Sequence, residues 1–250
     1  MVKEEVLGSL ISIGTYQQML DELFSIGHRN PSSYVCFANV HMVIEAHRDK
    51  SFRRVVNEAD LATADGRPVS LFLRFFRKIK QDRVCGMDVL PDLLKRASAE
   101  QKSVYFYGST ENVLQAIRDK ANKELPALQI KGMYSPPFRT LTEKEQTDII
   151  DQINQAAPDF VLVALGCPKQ EKWMAQHKGK VNACMLGLGQ AFNTYAGLEK
   201  RIPKWMRDLS LEWTYRLYTE PGRLWRRYLS TNSLFLWLTF CQLFKGKKTV

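Results

Sequence analysis

Asp65 is the residue of this 250-residue chain whose position best suits proton transfer. It follows residues 61–64, a short run of apolar residues and Thr, and precedes Gly66 and Pro68. Asp-Gly favours a turn and Pro favours the first helical position, so Asp65 is predicted between a strand and a helix. A carboxylate there can accept a proton from a bound hydroxyl. It can equally serve only the turn or the helix cap.

Glycine follows three predicted strands in the second half of the chain. Gly108, with Ser109 after it, ends one; Gly166 ends the next; Gly187 and Gly189 follow the third. Helix N-termini at the carboxyl edge of such a sheet present N–H groups to phosphate, so a nucleotide or sugar phosphate is the expected ligand. The sequence has neither a complete G-x-G-x-x-G nor a P-loop, which disfavours a dinucleotide-binding site and a P-loop nucleotide-binding site.

The segment after Gly166 is rich in polar residues: Cys167-Pro168-Lys169-Gln170-Glu171. Gln170 and Glu171 are predicted in the first turn of a helix. They can hydrogen-bond a sugar or its acceptor, or they can cap the helix and compensate its dipole. Lys169 can meet a phosphate.

Metal chemistry is not expected. The chain contains no D-x-D triplet, its five cysteines form no C-x-x-C, and its four histidines form no H-x-x-x-H. We therefore predict no bound metal, no zinc, no disulfide and no cofactor. Helix N-termini and cations such as Arg83 are expected to meet the charge of a departing diphosphate.

The elements that must position these residues alternate along the first 197 residues. Strands are predicted at 6–13, 34–37, 61–64, 104–107, 128–133, 160–165 and 181–186. Helices are predicted at 15–26, 42–46, 52–59, 68–76, 113–125, 142–155 and 168–176, and residues 83–88 lead into a further helix that runs through 99. This alternation predicts an α/β fold, a Rossmann-like and mostly parallel sheet with helices on both faces.

Residues 198–250 differ in character from the core at 1–197. Net charge is +10, and eleven of the Lys and Arg residues, against four acids, lie from Glu199 onward. An apolar run at 234–244 is about half of what a membrane-spanning helix needs. We therefore predict a helical appendage that binds an anionic membrane surface through basic and aromatic side chains: Arg216, Arg223, Arg226, Arg227, Trp225 and Trp237.

Other interpretations of the appendage remain. Its helices could pack on their own domain or on a second subunit. Nucleic-acid binding is disfavoured because the basic residues are interleaved with Trp and Leu. The N-terminus lacks a signal-peptide pattern, so a cytoplasmic protein is expected.

Ordered sequence blocks along residues 6–244 resemble the WecG/TagA/CpsF glycosyltransferases, glycosyltransferase family 26. They are Ala38-Asn39-Val40-His41, Asn57-Glu58-Ala59-Asp60-Leu61, Asp65-Gly66, Arg83-Val84-Cys85-Gly86-Met87-Asp88, Tyr134-Ser135-Pro136-Pro137-Phe138, Gly166-Cys167-Pro168-Lys169-Gln170-Glu171, Pro203-Lys204-Trp205-Met206 and Leu211-Glu212-Trp213. The resemblance implies a GT-E-like fold and an inverting, metal-independent transfer from a UDP-sugar to a polyprenyl-diphosphate-linked acceptor for surface polysaccharide. It also implies a peripheral position on the cytoplasmic face of the plasma membrane.

The resemblance also assigns roles to residues. Asp65 becomes the general base, Asn39 and Gln170 contact sugar or acceptor, and Arg83 contacts the diphosphate. The substrate-binding set is Gly108, Ser109, Tyr134, Gly166, Pro168, Lys169, Glu171, Gly187, Gly189 and Asn193. Two positions depart from the family: Phe37 replaces a frequent Thr, and Asn193 replaces a frequent Asp, which keeps a hydrogen bond without charge.

Several alternatives stay open at this point. The donor sugar can be N-acetylmannosamine, its uronic acid or glucose. The sequence leaves the oligomeric state open. A glycosidase would need a second carboxylate, which Asp88 or Glu171 could supply. From a different class, the chain could be a non-catalytic nucleotide-sugar-binding or scaffold protein of a polysaccharide assembly complex.

Overall fold

A computed structural model describes residues 1–29, 32–202 and 221–244, together with positions 206, 215, 217 and 218. Six strands form one sheet, in the order β4-β3-β8-β7-β5-β6, and every neighbouring pair is parallel. The strands are β3 Ser33–Ala38, β4 Leu61–Ala64, β5 Ser103–Gly108, β6 Gln129–Tyr134, β7 Phe160–Ala164 and β8 Cys184–Gly187. Every residue of β3, β4, β5 and β8 is buried, as expected of a parallel sheet covered on both faces.

Helices cover both faces of this sheet, which confirms the predicted fold class. They are α1 Tyr16–Arg29, α2 Val40–Arg48, α3 Lys50–Asn57, α4 Arg67–Phe76, α5 Gly86–Ala99, α6 Glu111–Glu124, α7 Glu143–Ala156, α8 Lys169–His177, α9 Ala191–Tyr195 and α10 Pro221–Phe244. Alternate residues of β3 enter two separate cores. Tyr34 and Cys36 lie in one, and Val35 and Phe37 lie in the other.

The start of the chain differs from its prediction. A single strand over residues 6–13 is wrong, because Leu7 and Gly8 adopt φ angles of 50° and 93° and reverse the chain. The result is a hairpin in which β1 Lys3–Val6 pairs antiparallel with β2 Ser9–Ser12. The predicted capping box that opens α1 is confirmed. The Thr15 N–H donates to Gln18 Oε1, and the Gln18 N–H donates to Thr15 Oγ1.

Helix α10 packs against α2 and α4 of the core. Thr231 and Phe235 are buried, and the Phe235 ring lies 6.3 Å from that of Phe72. The Arg48 guanidinium donates to the Ser230 carbonyl oxygen at 3.3 Å. The alternative that a C-terminal helix packs on its own domain therefore holds for this helix, whereas the domain boundary at residue 197 stays a prediction.

The other side of α10 is exposed and apolar, with Leu236, Trp237 and Phe240 each at least half exposed. None of the described helices combines the length and apolar character needed to cross a bilayer.

Candidate active site

A cavity of about 890 Å³ opens at the carboxyl edge of the sheet. From β3 the chain moves to the β4 edge, whereas from β5 it moves to the β6 edge, and ligands bind where strand order reverses in this way. The cavity is lined by loops after β3, β4, β7 and β8 and by residues of α10. It brings together eight of the predicted site residues: Asn39, Asp65, Arg83, Gly166, Gln170, Gly187, Gly189 and Trp225.

Asp65 lies directly after β4, and its backbone serves the turn. Its N–H approaches the carbonyl oxygens of Ala38 at 3.1 Å and Thr63 at 3.0 Å. Gly66 follows with φ 103°, a conformation that strains residues with a Cβ, and α4 begins at the next residue. The Asp65 side chain lines the cavity, so the turn and proton-transfer interpretations of Asp65 are compatible.

Asn39 caps α2 while it lines the cavity. Its Oδ1 accepts from the Met42 N–H at 3.1 Å, as a helix cap does. Ala38 and Ala64 are paired in register, so Asn39 and Asp65 follow adjacent strands, about 4.8 Å apart. The Asn39 amide nitrogen can donate hydrogen bonds to a ligand at this edge.

Gln170 spans two of the loops that line the cavity. Its Oε1 accepts from the Gly166 N–H at 3.2 Å, and its Nε2 donates to the Gly187 carbonyl oxygen at 2.9 Å. The same Nε2 donates to Glu171 Oε1 at 2.7 Å. Glu171 is fully buried behind Gln170 and does not line the cavity.

Burial raises the pKa of Glu171 to about 7, and hydrogen bonds from Gln170, its own backbone N–H and Cys167 oppose this rise. A direct substrate contact by Glu171 would require Gln170 to move.

Arg83 is oriented by a carboxylate outside the cavity lining. Its Nη2 lies 2.8 Å from Asp88 Oδ2, which also accepts from Cys85 Sγ at 2.8 Å. The second oxygen, Asp88 Oδ1, pairs with Arg201. Asp88 thus holds two guanidinium groups, so it is not placed as the second carboxylate of a glycosidase.

Gly108, Ser109 and Tyr134 lie at the same edge of the sheet but outside this cavity. Gly108 has φ 107°, and a Cβ there would collide with the Ala164 carbonyl oxygen. The Ser109 N–H donates to that oxygen at 2.9 Å, and the Tyr134 ring stacks on Tyr107. These are structural contacts, and a nucleotide contact by these three residues stays a prediction.

The other predicted residues lie around or beyond the cavity. Pro168 precedes α8, Lys169 is exposed in its first turn, and Asn193 Nδ2 donates to Glu199 Oε1 at 2.9 Å. Trp237 lies on the exposed side of α10. Arg216 falls outside the described residues, as do the side chains of Arg223, Arg226 and Arg227.

Sequence reasoning missed part of the lining: His41, Cys85, Met87, Leu229, Thr231, Asn232 and Phe235. His41 follows Asn39 closely, and its place after a buried strand is a signal that could have found it. The α10 residues carry no such signal, because they reach the cavity only through tertiary packing. Within the described residues, no group of three His, Cys, Asp or Glu side chains could hold a metal ion.

Comparisons with known proteins give one consistent result. A model of the family described as "Glycosyl transferase WecG/TagA/CpsF family" matches residues 4–249. The chain is similar to N-acetylglucosaminyldiphosphoundecaprenol N-acetyl-beta-D-mannosaminyltransferases. The Bacillus subtilis protein is 34% identical over 212 residues, 84% of this chain and 80% of the relative. The Bacillus spizizenii protein is 33% identical over 203 residues (81% and 77%), and the Staphylococcus aureus protein is 25% identical over 227 residues (90% and 87%).

Proposed function

This chain belongs to the WecG/TagA/CpsF family of glycosyl transferases, and from that premise we propose that it transfers N-acetylmannosamine from a UDP-sugar to a polyprenyl-diphosphate-linked N-acetylglucosamine. The observation that carries the proposal is the similarity to relatives named for that transfer. Among the three donor sugars that the sequence left open, the relatives favour N-acetylmannosamine over its uronic acid and glucose.

The proposed reaction needs one carboxylate and no metal. Asp65 accepts the proton of the acceptor hydroxyl while the hydroxyl oxygen attacks the anomeric carbon opposite the diphosphate. The bond from that carbon to the phosphate oxygen breaks, the configuration inverts, and UDP leaves with the electron pair. Asn39 and Gln170 hydrogen-bond the sugar or acceptor, and Arg83 meets the charge on the diphosphate.

The acceptor's lipid implies a membrane surface. The exposed side of α10, with Leu236, Trp237 and Phe240, has the apolar character that suits the headgroup boundary, and the net charge of +10 favours anionic lipid. We therefore propose a peripheral protein on the cytoplasmic face of the plasma membrane.

The test is a transfer assay with the full-length protein and a synthetic polyprenyl-diphosphate N-acetylglucosamine in detergent or vesicles. The UDP derivatives of N-acetylmannosamine, its uronic acid and glucose are offered separately, and the product linkage is determined by NMR. We expect one inverted disaccharide product from UDP-N-acetylmannosamine. Binding of a UDP-sugar without transfer from any donor would favour the non-catalytic alternative.

A further inference from the structure

Glu171 is a buried carboxyl group for which the proposed reaction has no use. It lies in the first turn of α8 and is 0% exposed. Its Oε1 accepts a hydrogen bond from Gln170, and its own backbone N–H and the Cys167 thiol also hydrogen-bond the carboxylate. A buried carboxyl group lowers the stability of the folded state when it is charged. The presence of Glu171 at this position therefore calls for a function that offsets this cost.

The Gln170 amide links Glu171 to the loop after β7. It accepts a hydrogen bond from the Gly166 N–H and donates one to Glu171. It ties Gly166, after β7, to Gly187, after β8. Space at these loops is tight: a Cβ at Gly187 would lie 3.0 Å from Gln170 Nε2, and one at Gly189 would lie 3.2 Å from Gln170 Oε1. The Gln170 amide therefore braces two loops that line the cavity.

An amide can occupy two orientations that exchange its oxygen and its nitrogen. Here Nε2 faces two acceptors, the Gly187 carbonyl oxygen and Glu171 Oε1, while Oε1 faces the Gly166 N–H. An ionised Glu171 can only accept, and a charge-assisted hydrogen bond is about twice as strong as a neutral one. Glu171 thus selects one orientation of the amide most firmly when it is ionised.

We propose that Glu171 is a positioning residue whose carboxylate fixes the orientation of the Gln170 amide and, through it, the two glycine loops of the cavity. Its effect on rate rests on the proposed glycosyl transfer, whereas the orientation of the amide is a property of the free protein.

The charge of this carboxyl group changes near neutral pH, because burial raises its pKa to about 7. The titratable groups that act around it are the Cys36 thiol on β3, the Cys167 thiol before α8, and Glu45 on α2, which acts on Cys167. Burial raises the pKa of both thiols well above the ordinary value, so both stay neutral while Glu171 titrates. The hydrogen bond from Gln170 to Glu171 is therefore strongest above about pH 7 and weaker below it.

Side-chain NMR tests the orientation without reference to activity. The Gln170 amide resonances of the ¹⁵N-labelled full chain are assigned by their loss in Q170E and followed from about pH 5.5 to about pH 8.5. We expect them to titrate with a midpoint near 7 in the wild type and to be independent of pH in E171Q. The control E143Q, an exposed carboxyl in the first turn of α7, should titrate as the wild type does. A wild-type amide that does not respond to pH overturns the inference, even if E171Q fails to fold.

Kinetics test the consequence. In E171Q we expect kcat to be about tenfold lower above pH 7, with loss of the acid limb centred near pH 7 and with KM for the acceptor unchanged. An E171Q enzyme with the wild-type kcat and pH profile overturns the positioning role. If the wild type transfers no sugar at all, the proposed function fails while the NMR titration still decides the role of Glu171.

Discussion

Two carboxyl side chains at the carboxyl edge of the sheet have opposite environments. Asp65 is partly exposed and lines the cavity, whereas Glu171 is fully buried behind Gln170. A proton acceptor must come within hydrogen-bond reach of the acceptor hydroxyl. Asp65 can meet that condition without movement of the protein, and Glu171 cannot.

Replacement of Asp65 by Asn tests the base. We expect D65N to lower kcat by about 10²- to 10⁴-fold, because the amide cannot accept the proton, while the Kd for UDP measured by calorimetry stays within about twofold. D151N, which changes an exposed carboxylate on α7, is the control and should keep wild-type transfer. Full transfer by D65N would show that another group is the base.

The dependence of stability on pH tests the buried carboxyl. Its folded pKa of about 7 lies above the unfolded value of about 4.3, so the folded state binds more protons between these values. The contribution of Glu171 to the free energy of unfolding therefore falls as pH rises from about 4 to about 7, and it is constant above. E171Q removes this fall, so its stability relative to the wild type should rise by about 3 kcal/mol across that window in urea unfolding. A difference that does not change with pH would contradict the buried, shifted carboxyl.

At the scale of elements, the two sides of α10 have different surroundings. Thr231 and Phe235 are buried and line the cavity, Trp237 and Phe240 are exposed outside its lining, and Leu236 is exposed but also lines it. Removal of the whole helix would uncover Phe72 and would also remove the exposed apolar side chains, so truncation would mix a loss of stability with a loss of membrane binding.

Substitutions on each side separate the two effects. W237S/F240S should reduce binding to vesicles that contain anionic lipid by about tenfold or more, because apolar side chains anchor an interfacial helix. Its thermal midpoint should stay close to that of the wild type.

In contrast, F235A should lower the free energy of unfolding by about 3–5 kcal/mol, as buried Phe truncations do. Unchanged vesicle binding by the W237S/F240S variant would contradict the interfacial role of α10.

The order of the strands and helices could be predicted because each carries its own local signal. The strand at 61–64 has the predicted bounds, and Thr15 and Gln18 form the predicted capping box. The β1–β2 hairpin was missed because Gly8 was taken as part of a strand. The α10 side of the cavity could not be predicted, since the run at 234–244 is apolar on both sides and only tertiary packing decides which side is buried.

At the scale of the whole molecule, one parallel sheet brings the residues of the candidate site together. The carboxyl ends of β3, β4, β7 and β8 lie at one edge, and this is how Asn39, Asp65 and Gln170 become neighbours of one cavity. Turn and helix-start signals predicted where Asp65 and Gln170 lie, and the family resemblance singled out Asn39, but the meeting of the three residues depends on strand order. The sequence does not carry that order locally, because β8 and β7 insert between β3 and β5.

A chelator tests how the whole molecule neutralises the diphosphate. We expect transfer to be unchanged after dialysis against EDTA, since the proposed reaction uses Arg83 and helix N-termini for the departing charge. The assay compares initial rates before and after dialysis and after Mg²⁺ or Mn²⁺ is restored. A loss of rate with EDTA that the metal reverses would contradict the metal-free reaction.

The cavity joins parts of the chain that are synthesised far apart in time. Phe37 leaves the ribosome before Thr231 and Phe235, which line the same cavity. Folding during synthesis proceeds from the N-terminus, so the sheet can assemble before α10 is available to complete the cavity. A nascent chain therefore exposes an unfinished binding site until α10 has been synthesised, and products of premature termination before α10 lack that wall of the cavity.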